Sequence, residues 1–345
     1  MNIKQFPDRI IEIDQEQYLY FGGTAYLGLP TNKAFQELVI KNILKWGTTY
    51  GSSRNANVKL TAYENGEIFL ANYIKAEAAV TVSSGMLAGK LVIDELKKQT
   101  DTFFHFDDIH PAIQENDSLP VFINGEINPR LLDSKVEKIT ILTDGVISFE
   151  TKAIDLFILN EIPKHKEITL LVDESHSLGI LGKNGCGIYS QINLPIKRKI
   201  MVSSLGKAFG LTGGVIASDT SFIQQIKKSE IFGSAAGMNP AFVQTLFDAS
   251  ELYPQQQQKL LENLQYIDQK LIKHDSIKFS NNYPLIYLKD AKIIEVLKEN
   301  KIIIASFKYK QDADNLNRIV VTANHLKEDL DKIIRILNEY NSKSK

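Results

Sequence analysis

Leu170-Leu171-Val172-Asp173-Glu174-Ser175-His176-Ser177-Leu178-Gly179 runs from an unbroken apolar stretch into an acid, with a histidine three residues beyond it. Apolar residues without alternation mark a strand buried on both faces, as in parallel sheets covered by helices. In open α/β sheets ligands sit at the carboxyl ends of the strands. An acid at that place can pair with a cation such as a protonated pyridine nitrogen through a charge-assisted hydrogen bond. Two other readings fit the same residues: a nucleotide-hydrolysing Asp-Glu-x-His motif, or simply the capped start of a helix. The nucleotide reading needs a Gly-x-x-x-x-Gly-Lys-Ser/Thr loop, and here Gly206-Lys207 is followed by Ala208.

Two further stretches follow apolar runs in the same way. Ser203-Ser204-Leu205-Gly206-Lys207-Ala208-Phe209-Gly210 sets a lysine among small residues and glycines. Such neighbours leave room for a planar group at the amine, and the Ser204 hydroxyl suits a phosphate. A lysine in a glycine-rich loop is weak evidence alone and gains its weight from the Asp173 segment. Val82-Ser83-Ser84-Gly85-Met86-Leu87-Ala88 opens a helix after a strand. The free N–H groups and positive end of such a helix form an anion site, which is compatible with an ordinary N-cap by Ser83 or Ser84.

Around these segments, short apolar runs at 78–82, 102–106, 121–123, 140–143, 168–173, 200–203 and 214–217 alternate with helical stretches. This rhythm predicts an α/β architecture with a mostly parallel central sheet. Alternating residues at 9–14 and 17–21 predict two opening strands with a turn at Gln15 and Glu16. Helical spacing is expected over 32–46 and 63–74, and one long helical stretch over 240–274. The remainder reads as a strand (284–289), a helix (291–299), two strands (302–307 and 318–322) and a final helix (326–340). We therefore expect an N-terminal segment (1–33), a large domain (34–240) and a smaller C-terminal α+β domain (241–345).

Composition removes several classes of function. Lys plus Arg number 40 and Asp plus Glu 41, so no electrostatic grip on nucleic acid or an anionic membrane is expected. No apolar run approaches the roughly 20 residues of a membrane helix, and residues 1–10 lack an apolar signal core. A single cysteine, Cys186, excludes an intrachain disulfide and fits a reducing, cytoplasmic setting.

Together the segments resemble the α-oxoamine synthase family of fold-type-I pyridoxal 5′-phosphate (PLP) enzymes. VDESHSLGILGKNGCG (172–187) is similar to the family's aspartate and histidine motif, and SSLGKAFGLTGG (203–214) to its lysine motif. AYLGLP (25–30) and YGSSRNAN (50–57) resemble its N-terminal signatures. The resemblance runs from about Glu12 to Leu337. It implies the aspartate-aminotransferase-like fold, PLP as cofactor, and a homodimer with sites at the subunit interface. Lys207 would then bind PLP as a Schiff base and later act as general base. Asp173 would pair with the pyridine nitrogen, His176 would bond the phenolic oxygen, and His110 would stack on the ring. Ser84, Gly85, Met86 and Ser204 would hold the phosphate, joined by Ser234 from the partner subunit. Arg318 would grip a substrate carboxylate, for which a planar guanidinium is suited. As residues alone, His110 before Pro111 also reads as a turn histidine and Arg318 as an edge-strand charge.

The implied reaction is acyl transfer from an acyl-CoA to a small amino acid through a carbanion. Transamination, decarboxylation and non-catalytic PLP binding stand as alternatives on the same scaffold. Four departures bear on the second substrate. The family synthases carry a longer segment before the region matching Glu12. Gly23-Thr24-Ala25 stands where the family often has Ser-Asn-Asp/Asn. Asp144 to Lys152 lacks the family's Asp-Gly-Asp turn, and Gly185-Cys186-Gly187 replaces Gly-Arg-Gly. The cofactor residues are kept while the acyl side has drifted, which predicts an altered second substrate.

Overall fold

A computed structural model of the chain describes residues 2–308 and 315–343. Seven strands form the main sheet, in the order Ala78–Val82, Gly214–Ser218, Arg198–Ser204, Lys166–Asp173, Glu137–Asp144, Thr102–His105, Leu119–Pro120. All neighbours are parallel except Gly214–Ser218, which runs antiparallel to both of its partners. The apolar run at 168–172 is buried on both faces, as its lack of alternation predicts. Leu171 packs with Val80, Val92, Ile200 and Ile216 on one side. Leu170 and Val172 pack with Phe104, Ile141 and Ile188 on the other. Each such leucine contributes about 1.5–3 kcal/mol through burial. The helix Gly85–Lys97 lies across Arg198–Ser204 and Gly214–Ser218, which brings its N-terminus to the strand ends.

A second, six-stranded sheet has the order Ile10–Ile13, Glu16–Phe21, Ile302–Lys308, Asn315–Val320, Leu285–Leu288, Ile277–Lys278. The opening hairpin thus belongs to the same sheet as the C-terminal strands, and Glu16–Phe21 pairs parallel with Ile302–Lys308. Its turn falls one residue earlier than expected, on Asp14 and Gln15, both left-handed at φ 50° and 66°. A two-residue hairpin of matching twist needs positive φ at both central positions, and an Asp tolerates that better than Glu16 would.

The single helix expected over 240–274 is two helices, Pro240–Asp248 and Leu252–Lys270. Both prolines sit in first turns, where the missing N–H would have no helical partner anyway. The first packs on Thr61–Ile74 and Lys33–Trp46. Among the described residues no helix is long and apolar enough to cross a membrane.

An ionic cluster closes the amino end of the central strands, opposite the site. The fully buried Lys166 ammonium lies 2.7 Å from both Glu137 and Asp133, and Arg130 engages both Glu137 oxygens at 2.7 Å. Burial alone would raise the Glu137 carboxyl; the bonds from Arg130 and Lys166 instead hold it down at about 2. Lys166→Ala leaves Glu137 buried with part of its partnering gone. Urea unfolding should show a loss of about 3–5 kcal/mol, the range for breaking a buried ion pair.

Candidate active site

The parallel strands deliver their carboxyl ends to one edge of the sheet. Asp144 and Asp173 end adjacent strands and stand opposite each other in register. Arg198–Ser204 ends one strand further on and leads into the turn that carries Lys207. His110 follows the strand on the far side, and its N–H donates to Asp144 Oδ1 at 3.3 Å. These residues line one pocket with Ser175, His176, Tyr283, Tyr287 and Arg318.

Short bonds fix the two principal segments against each other. The Ser175 N–H donates to Asp173 Oδ1 at 2.8 Å, and the Ser204 N–H donates to Ser175 Oγ at 2.8 Å. Lys207 Nζ lies 2.8 Å from His176 Nε2, and His176 Nδ1 lies 2.8 Å from the Tyr26 hydroxyl. Burial first, then the Lys207 and Arg318 charges, push the His176 pKa well below its usual value, so the ring is neutral. With Lys207 as an ammonium, Nε2 must accept, and Nδ1–H then donates to Tyr26.

The charges around the amine oppose one another. Burial pulls the Lys207 pKa down, while Asp173 and Asp144 pull it back up. Burial first, then the Asp173 carboxylate, push the Asp144 pKa well above its usual value. His110 is lowered, chiefly by burial. Arg318 projects from Asn315–Val320 into the pocket, and its Nε is buried with no hydrogen-bond partner among the described residues. An orphaned guanidinium N–H is costly unless a ligand answers it.

A separate cradle forms where Ser84 caps Gly85–Lys97, accepting the Leu87 N–H at 3.1 Å. A Cβ on Gly85 would fall 2.8 Å from Ser204 Cβ, and one on Gly214 would fall 2.3 Å from the Ser84 carbonyl. Glycine at both positions lets the helix N-terminus reach the Ser204 turn. The Gly85 and Met86 amides there are free first-turn donors, a ready anion site. Ser204 Oγ accepts the Gly206 N–H at 3.3 Å.

Lys207, Asp173, His176, His110 and Arg318 therefore share one pocket, and Ser84, Gly85, Met86 and Ser204 come together at the helix start. Ser234, expected to reach the phosphate from a partner subunit, ends the short helix Glu230–Ser234 on the surface of this chain. Reading the sequence missed Tyr26, Asp144, Ser175, Tyr283 and Tyr287 as site residues. Tyr26 lay inside a quoted signature, and Asp144 ends a visible apolar run. Nothing local marks Tyr283 and Tyr287, which arrive from the other sheet.

Glu174 turns away from the pocket. It accepts from the Ile188 N–H and the Tyr189 N–H at 2.7 Å each and from the Ser177 hydroxyl at 2.8 Å. Burial outweighs these bonds and pushes its pKa from 4.5 up to about 7. An acid raised by folding contributes stability that is full below its unfolded value and is lost as pH rises through its folded one. The stability advantage of wild type over Glu174→Gln should therefore shrink between pH 4.5 and pH 7 in urea unfolding.

A protein-family model described as aminotransferase class I and II matches residues 67–337. The chain belongs to this family. Among its curated relatives, 8-amino-7-oxononanoate synthase of Lysinibacillus sphaericus is 27% identical over 293 residues, covering 81% of this chain and 75% of the relative. Serine palmitoyltransferase of Sphingobacterium spiritivorum is 27% identical over 286 residues, covering 79% and 71%. Both relatives are α-oxoamine synthases, as the sequence motifs led us to expect. The fold is that of fold-type-I PLP enzymes. It matches a solved serine palmitoyltransferase of S. paucimobilis with a bound PLP-myriocin aldimine, with a TM-score of 0.81 and 17% identity over 99% of this chain and 92% of that one. An 8-amino-7-oxononanoate synthase of Francisella tularensis gives a TM-score of 0.70 with 22% identity, covering 95% and 98%.

Proposed function

We propose that the chain is a PLP-dependent transferase that joins an acyl group, taken from an acyl-CoA thioester, to a small amino acid. The observation that carries the reading is the meeting of Lys207, Asp173, His110 and His176 in one pocket with the orphaned Arg318 Nε. The names of the relatives support the reaction type. This donor set fits PLP: an amine to bind it, a carboxylate for its ring nitrogen, one imidazole that would stack on the ring and one that would meet its phenolic oxygen, and a helix-end cradle for its phosphate. When bound, PLP supplies an electron sink for a carbanion at the amino acid's α-carbon.

The chain's own residues do the rest. Asp173 would place a carboxylate where a ring nitrogen's proton needs one. Lys207, its pKa lowered by burial, loses a proton readily and then accepts one from the substrate carbon. His176 is kept neutral and, braced by Tyr26, orients the amine and the cofactor oxygen. Arg318 takes the substrate carboxylate with its unpartnered edge.

The proposal includes a homodimer in the cytoplasm. Ile40 and Leu44 are 58% and 83% exposed on one helix, Phe247 is 48% exposed on the helix packed against it, and Ile68 is 55% exposed on the helix packed against that second one. Such an apolar face favours burial against a second copy, and the single cysteine is buried and free. The test is a visible-absorbance titration of the PLP-loaded protein with glycine, alanine, serine and longer amino acids, followed by assay of thiol release from acyl-CoA donors. One amino acid shifting the absorbance and supporting thiol release is the expected result. Conversion of PLP to its pyridoxamine form with a keto acid, and no thiol release, would instead mean transamination.

A further inference from the structure

Residues 145–152 stand where the sequence departs from the α-oxoamine synthase pattern, and they form a strap along one side of the pocket. The strap is rooted beside Asp173: the Gly145 N–H donates to the Asp173 carbonyl at 2.7 Å, and the Gly145 carbonyl accepts the Ile154 N–H at 3.0 Å. Val146, Ile147 and Ser148 line the pocket. The Glu150 N–H donates to the Ile147 carbonyl at 3.0 Å, closing a β-turn. Phe149 is the third residue of that turn, at φ 66°, a position that favours glycine. A large aromatic residue held there is an outlier for which sequence and backbone disagree.

What the ring reaches explains its retention. Its centroid lies 5.9 Å from that of Tyr287 at an interplanar angle of 36°. Tyr287 and Arg318 are cross-strand partners in the second sheet and line the same pocket; burial raises the Tyr287 pKa, while Arg318 and the Phe149 N–H draw it down. Glu150 adds a 2.7 Å ion pair to Lys278 in that same sheet; being exposed, it contributes little by itself. The strap therefore starts beside Asp173 and ends braced against the residue that abuts Arg318.

We propose that Phe149 and Tyr287 are positioning residues for the amino-acid substrate: the strap fixes Tyr287, and Tyr287 aims the Arg318 guanidinium at the substrate carboxylate. This rests on the carboxylate role proposed for Arg318. Backbone strain at functional positions is kept where it serves binding, and here it holds one ring against another.

The test compares amino-acid affinity, by calorimetry on the PLP-loaded protein, with thermal unfolding. Arg318→Gln should weaken binding by about tenfold to a hundredfold, the scale of a lost charged hydrogen bond. Tyr287→Phe and Phe149→Gly should each weaken it about threefold to tenfold. Phe149→Gly should at the same time raise the melting temperature, because glycine relieves the left-handed backbone. Phe149→Tyr, which keeps the ring, should restore affinity. In steady state the KM for the amino acid should rise and that for the acyl donor should not. Unchanged affinity in Phe149→Gly and Tyr287→Phe, with Arg318→Gln weakened, would overturn the strap's role and leave the Arg318 reading standing. Unchanged affinity in Arg318→Gln would overturn both.

Discussion

Lys207→Ala should lose the long-wavelength absorbance of a lysine-bound PLP altogether, and turnover should fall by about 10²–10⁴-fold or more, since both the anchor and the general base are removed. The variant should still fold. Lys207 sits in a turn after Arg198–Ser204, and among the described residues its amine bonds only to His176. The turn's backbone is held by other groups: the Leu205 N–H on the Gly213 carbonyl at 3.0 Å and the Leu211 N–H on the Leu205 carbonyl at 3.1 Å. PLP should still bind, more weakly, through the helix-end cradle and Asp173. The decisive measurement is a spectrum of the PLP-saturated variant beside wild type, with unfolding curves to show that the fold is intact. Retention of the wild-type band would remove Lys207 from its assigned role.

Asp173→Asn should keep the fold and the cofactor and lose about 10²–10³-fold in turnover, the scale for removing one preorganised electrostatic partner. Asparagine keeps an oxygen at the position that accepts the Ser175 N–H at 2.8 Å, so the link from Asp173 through Ser175 to Ser204 survives. What disappears is the negative charge. A second effect follows from the neighbour. Asp144 is pushed up partly by Asp173, so the substitution lets Asp144 ionise more readily and recover some of the lost field. The double variant Asp173→Asn/Asp144→Asn should fall below the single one. Single-turnover rates at fixed PLP saturation decide it, and near-wild-type rates in the single variant would reject the role.

The site was legible in the sequence where a buried strand hands a polar residue to the sheet edge. Asp173 and Lys207 both follow apolar runs that could only be interior strands, and Gly85 follows a third. Arg318 was found through the resemblance, although the local pattern equally allowed a surface charge; what distinguishes it is the buried, unpartnered Nε, which only coordinates reveal. Tyr287 and, just before its strand, Tyr283 were illegible because that strand belongs to another sheet, and nothing in YPLIYL says what it faces. Asp144 was read only as a departure from a motif. Its partner is a residue in the next strand, and cross-strand register is not written in either segment alone. The split at 249–251 was missed because apolar spacing continues through it, while the hairpin turn moved by one residue because backbone handedness outweighed the alternation pattern.

The pairing of Glu16–Phe21 with Ile302–Lys308 has a consequence for how the protein is made. The paired residues Leu19 and Ile302 lie more than 280 positions apart. At about 5–20 residues per second, the ribosome needs roughly 15–55 s to bring the second strand into reach of the first. Throughout that interval the hairpin presents an open edge of unsatisfied N–H and C=O groups. The main sheet, drawn from residues 78–218, can assemble meanwhile. The second sheet waits until Ile302–Lys308 and Asn315–Val320 have been made. Nascent chains stalled before residue 302 should therefore be the ones that depend most on chaperones, with the hairpin as the segment that needs shielding.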